Sequence, residues 1–199
     1  EKYERFRSAL IAAMPPEAYI YPASTLHCTV CTLRAFTAGP LDDKALGALQ
    51  AAWAPVLDSV ALPTGPFRLR MGAPTLEGSA AIFHYEDVDG AIARIRASLH
   101  EAIVKAGGRP AEGASWQEAQ PLPGLPGPAP HIPDIVHSTV MRWTAEPADK
   151  AAVEAAFAQA ASGWEPLELE VGAVRVVVED VPYMHVPDDA AHSWWQSSL

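Results

Sequence analysis

The sequence predicts an α+β fold built as a duplicated, bilobal domain, and three observations carry that expectation. Stretches of helical periodicity alternate with short runs rich in β-branched and aromatic residues. A five-residue pattern occurs twice, LHCTV at 26–30 and VHSTV at 136–140, in a chain with only seven histidines. The segments downstream of each copy are also similar. PFRLRMGA at 66–73 lines up with PLELEVGA at 166–173, and DDKAL at 42–46 resembles ADKAA at 148–152. The two histidines are offset by 110 residues and the PFRLRMGA and PLELEVGA segments by 100, so the repeats differ in loop length.

The elements run in order along the chain. Residues 2–13 place Tyr3, Phe6, Leu10 and Ile11 at helical spacing, and Pro15-Pro16 stops the helix. Residues 26–34 read as a strand. Residues 42–58 read as a helix capped by Asp42. Two strands come next at 66–72 and 79–86, joined by a turn through Pro74 and Gly78. Residues 88–106 form an amphipathic helix ended by Gly107-Gly108. Seven of the 19 prolines lie between Gly107 and Pro133, which excludes long regular elements there. The pattern then restarts with a strand at 135–143 and a helix at 147–161 with Pro147 near its first turn. A second pair of strands lies at 166–171 and 173–179, with one more short strand at VPYMH, 181–185. The whole chain, 1–199, is thus expected to be one bilobal domain. Its first lobe is 18–106, its Pro/Gly-rich loop 107–134 and its second lobe 135–186.

Composition narrows the function classes. Apolar residues make up 49%, enough for a core, and no run is long enough to span a membrane. The start, EKYERFRSAL, is not followed by the apolar region of a secretory signal, and it lacks Met, so a trimmed N-terminus is expected. The two cysteines, Cys28 and Cys31, make no disulfide framework, and an intracellular, cytoplasmic setting and a monomer are the expectation. On a strand, residues three apart face opposite ways, so the C-x-x-C spacing favours two small core residues over a redox pair. The net charge of −10 disfavours long duplex nucleic acid, because such binding draws on a basic face. A small anionic ligand or a single nucleic-acid end fits better.

On a strand, residues i and i+2 share a face. His27 and Thr29 would therefore point one way, as would His137 and Thr139, while Cys28, Ser138 and the flanking apolar residues point the other. Histidine is the side chain that gives or takes a proton near neutrality. Two imidazoles can serve as base and acid, and two hydroxyls can hold an oxyanion. A phosphodiester suits this inventory without a metal or other cofactor.

The paired HCTV and HSTV motifs, set in matching repeats from about Tyr19 to Met184, resemble the two-histidine (2H) phosphoesterase superfamily, whose signature is one H-x-[ST]-hydrophobic motif per lobe. The resemblance implies two antiparallel sheets lining a central cleft with helices packed outside. It also implies metal-independent attack on a cyclic phosphodiester, such as a 2′,3′-cyclic nucleotide or RNA end, or on a 2′–5′ bond. Carried over, His27 and His137 are the acid–base pair and Thr29 and Thr139 the phosphate ligands, with the base unassigned. A non-catalytic nucleotide-binding module of the same fold is the alternative. A metallohydrolase using His27, His137 and Asp134 is a further rival.

Other residues are secondary candidates. Tyr183 is the favoured base-stacking residue, ahead of Tyr21, Trp116 and Trp143. Arg34 and Arg142 follow the motifs, but an odd separation from each histidine puts them on the opposite strand face if the strand runs on, a placement that a bend would reverse. Arg68 and Arg70, opposite Glu168 and Glu170 in the repeat, read as a solvated sheet face. His84 and His185 follow strand-like segments and are minor candidates for touching the site. His100 reads as a solvent-facing helix residue, His131 as incidental and His192 as outside the pattern. Trp194-Trp195 are expected on the surface or against a partner.

Overall fold

A computed structural model describes residues 1–35, 38–179 and 193–199. It has the expected mixed α+β class. Two compact units are each drawn from three stretches of chain. The first comprises Glu1–Cys28, Arg70–Glu86 and His137–Leu169, and the second Thr29–Leu69, Asp87–Val136 and Glu170–Leu199. The units therefore interleave along the chain, whereas the repeat reads as two consecutive lobes. The reason is strand pairing: β6 (His137–Trp143), from the second repeat, inserts between β1 (Ala18–Ile20) and β3 (Ala80–Asp87) from the first.

The first unit is organised around a sheet of order β1-β6-β3-β2-β7, where β2 is Phe67–Glu77 and β7 is Leu167–Val171. β6 runs antiparallel to both its neighbours. Helix α1 (Lys2–Ala13) buries Tyr3, Phe6 and Leu10, one stripe at helical spacing, and α4 (Lys150–Ala161) buries Val153 and Phe157. These side chains, Val153 apart, share one core with Ile20, Met71, Ala81, Phe83, Val140 and Met141. Aromatic rings dominate it: Phe6 and Phe83 lie 5.6 Å apart, and Phe83 and Trp164 4.6 Å. The Tyr3 hydroxyl donates to the Tyr21 carbonyl at 2.6 Å, and burial pushes its pKa up.

The second unit packs α2 (Asp43–Asp58) with α3 (Ala91–Lys105). Trp53, Val56 and Leu57 of α2 meet Leu99, Ala102 and Ile103 of α3, joined by Leu122 and Ile132. Asp42 caps α2 through the Ala45 amide, as its position predicts. The 107–133 stretch contributes only β4 (Ala111–Glu112) and β5 (His131–Ile132), a short parallel pair. Its prolines account for the irregular remainder. Trp194 and Trp195 lie on β9 (Ser193–Ser198), against this core, and the Trp195 indole donates to Asp58 at 3.0 Å.

Several expectations change. The first-half turn sits at Gly78, whose φ of 55° favours glycine, while Pro74 lies inside β2. Pro147 precedes α4, which Asp149 caps through the Ala152 amide. The strands at 167–171 and 173–177 form no hairpin, because one intervening residue, Gly172, cannot make a two-residue turn. β7 joins the sheet beside β2, its counterpart in the repeat, whereas β8 (Ala173–Val177) pairs antiparallel with β9. The stretch 181–185 lies outside the described residues.

Candidate functional site

The second motif sits on a regular strand. On β6, Ser138 and Val140 are buried at 2% and 0% exposure, while His137 and Thr139 are half-buried on the other face. This is the alternation the motif predicts. Pairing with β3 extends that face: His84 is the direct partner of His137, and Ile82 of Thr139. Directly opposed residues share a sheet face, so His84 stands beside His137. The His84 Nε2 lies 2.9 Å from Glu77 Oε1, which also accepts from the Thr75 hydroxyl at 3.0 Å. Hydrogen bonds from His84 and Thr75 hold the Glu77 carboxyl below the usual range.

A β-bulge corrects the expectation for Arg142. The register passes from Ala81↔Met141 to Ile82↔Thr139, leaving Val140 as an extra residue on β6. Val140 and Met141 are consecutive, yet both are fully buried in the same core. The alternation inverts there, so Arg142, partner of Ala80 and of Tyr19, shares the face of His137 and Thr139. Strand parity put it on the opposite face, and a bulge is not visible in the spacing of apolar residues. Arg34 behaves differently: its guanidinium donates to the carbonyls of Gly39 at 2.7 Å and Ala38 at 2.8 Å.

The first motif is not a strand. Residues 23–25 form a short 3-10 turn, 26–30 belong to no strand, and Thr32 alone bridges to His131. β-Branched composition favours a pleated surface, but a strand also needs a partner edge along its length. The backbone here is held by side chains instead. Ser138 Oγ donates to the His27 carbonyl at 2.5 Å and accepts from the Tyr85 hydroxyl at 3.0 Å. Cys28 Sγ lies 3.8 Å from the same Ser138 oxygen. The variable residue of the second motif therefore grips the histidine of the first, 111 positions earlier in the chain.

The His27 ring has a defined polarity. Its Nδ1 lies 2.9 Å from the Thr25 carbonyl, which can only accept, so Nδ1 carries the proton. Nε2 then keeps its lone pair in the neutral ring. Burial lowers the His27 pKa below the ordinary histidine value, and the Thr25 bond opposes this in part. A ring so placed is neutral at physiological pH and able to accept a proton at Nε2.

Of the five site residues read from the sequence, the first unit thus holds His27, His137 and Thr139. Thr29 belongs to the second unit, half-buried, with its carbonyl bound by Arg96 at 2.9 Å. Tyr183, like His185 and His192, lies outside the described residues. Tyr21 is 1% exposed, with its ring edge-on to Tyr19, which makes it a core residue. Trp143 packs half-buried against the first unit's core. Trp116 is 51% exposed and stacks on His131 at 5.0 Å. His131 Nε2 donates to the Gly113 carbonyl at 2.8 Å, so this ring is structural. His100 lies 3.5 Å from Glu112 on an exposed helix face.

Arg70 pairs with Glu86 at 2.9 Å and with Glu168 at 3.1 Å, and Arg68 pairs with Asp89 at 3.0 Å. The charge asymmetry of the repeats is thus an ion pair between neighbouring strands on an exposed face. Both cysteines are free, and burial raises the Cys31 thiol to about 12, which keeps it protonated and unreactive. Among the described residues no three His, Cys, Asp or Glu side chains cluster as a metal site. His84, a minor candidate from the sequence, stands beside His137 through strand register, whereas the contact of Arg96 with Thr29 left no sequence signal, since it depends on helix packing.

No family model and no curated protein matches this chain. A crystal structure of TT0787 from Thermus thermophilus is similar, with a TM-score of 0.52 at 20% sequence identity. The match covers 98% of this chain and 92% of that one, and at this identity it establishes a shared fold.

Proposed function

We propose that this chain is a two-histidine phosphodiesterase that hydrolyses a small cyclic phosphodiester or a 2′–5′ bond without a metal. The observation that supports the reading is the hydrogen bond from Ser138 Oγ to the His27 carbonyl, which joins the two histidine-bearing segments within the first unit. The His27 polarity supports its role as base. Its Nε2 takes a proton from the attacking water, whose oxygen forms the new bond to phosphorus. His137, as imidazolium, gives a proton to the ribose oxygen as its bond to phosphorus breaks. For a 2′,3′-cyclic nucleotide the product is a nucleoside monophosphate. On the resemblance, the hydroxyls of Thr29 and Thr139 hold the non-bridging oxygens. The net charge of −10 favours a nucleotide or a single RNA end over a long polyanion.

The test is turnover of 2′,3′-cyclic nucleotides and 2′–5′ oligonucleotides with and without EDTA. We expect cleavage that EDTA does not change. His27→Ala or His137→Ala should each lower kcat/KM by about 10²–10⁴-fold while circular dichroism stays unaltered. Binding without any cleavage would instead support the non-catalytic module. Activity lost to EDTA and restored by a divalent ion would support a metallohydrolase.

A further inference from the structure

The segment 26–30 lacks a strand partner, so its carbonyls need hydrogen bonds from elsewhere. One side chain meets that need for Thr29 and Val30. Arg96, on α3, donates from Nη2 to the Thr29 carbonyl at 2.9 Å and from Nε to the Val30 carbonyl at 3.3 Å. The same Nη2 donates to the Ile135 carbonyl at 2.8 Å. Residues 29 and 30 lie two and three positions after His27, and residue 135 lies two before His137. One guanidinium therefore ties the exit of the first motif to the entry of the second. Its Nη2 carries two hydrogens in a fixed plane, so spanning both segments sets their separation as well as joining them. α3 is itself anchored: Ile95, Leu99 and Ile103 of this helix are 2%, 4% and 0% exposed. The guanidinium is presented from a rigid element, which is what positioning demands.

We infer that Arg96 is a positioning residue for the reaction, fixing within the second unit the separation of Thr29 and Ile135, each two positions in sequence from a histidine of the pair; this rests on the phosphodiesterase reading. It touches no reacting atom and acts through the two segments it binds. A lysine has no planar fork and can serve only part of this role.

The experiment compares Arg96→Lys and Arg96→Met with the wild type on a 2′,3′-cyclic nucleotide. Assays run well below the unfolding midpoint, alongside hydrogen exchange of peptides covering 27–33 and 133–138. Misplacing a catalytic group by about 1 Å costs on the order of 10²-fold, so Arg96→Met should lose about that much kcat. KM should move by less than about threefold, with partial recovery in Arg96→Lys and faster exchange in both peptides. A folded Arg96→Met variant with wild-type kcat overturns the inference. If Arg96→Met does not fold, Arg96→Lys decides: a lowered kcat at constant KM supports the role, and wild-type kcat overturns it. If the wild type itself turns over no substrate, the phosphodiesterase reading fails instead. The exchange data then decide alone, and unaltered protection of both peptides overturns the role of Arg96.

Discussion

Replacing Ser138 by alanine should cost more than any polar-to-alanine change on an exposed face. Ser138 is 2% exposed and serves two partners at once, donating to the His27 carbonyl and accepting from the Tyr85 hydroxyl. Removing the oxygen leaves one acceptor and one donor unpaired next to a packed core. Each unsatisfied buried group costs roughly 1–3 kcal/mol, so Ser138→Ala should destabilise by about 2–6 kcal/mol. That is a large part of a typical domain's stability of about 5–15 kcal/mol. Urea titration monitored by tryptophan fluorescence measures it. Tyr85→Phe removes only one of the two bonds and should cost about 1 kcal/mol. In the double variant the losses should sum to less than the two singles, since both report one shared bond. A loss below about 0.5 kcal/mol for Ser138→Ala would refute the claim that this hydroxyl holds the first motif in place.

Further outcomes rest on the same geometry. Because burial lowers the His27 pKa, the neutral base persists below the ordinary value of about 6.5, and the ascending limb of kcat/KM against pH should have its midpoint under that value. The unfolded chain binds a proton at His27 that the folded chain resists. Stability should therefore fall as pH drops from about 6.5 toward the lowered folded value, and His27→Gln should flatten that slope in urea titrations. Phe83→Ala, in the ring cluster of the first core at 0% exposure, should cost about 3–5 kcal/mol by the same method. Arg142→Ala should raise the KM of an anionic nucleotide by about 10-fold or more, since Arg142 shares the face of His137, whereas Arg34→Ala should leave KM unchanged.

Much of the fold was legible in the sequence because the relevant forces are local. Helix hydrogen bonds close between residues four apart, so the stripe of Tyr3, Phe6 and Leu10 and the Asp42 cap are written in neighbouring residues. The buried Ser138 and Val140 against half-buried His137 and Thr139 arise from the pleat in the same way. Strand pairing is not local. Which edge a segment meets depends on residues a hundred positions away, so tertiary structure alone decided that 26–30 would be held by side chains. It also decided that β7 and β8 would part, and that Val140 would bulge and turn Arg142 to the other face. The repeated motif named the two histidines. Only the folded chain brought Ser138 of one motif to His27 of the other, His84 to His137 and Arg96 to Thr29, because partners across a chain are chosen by packing and leave no periodic trace in the sequence.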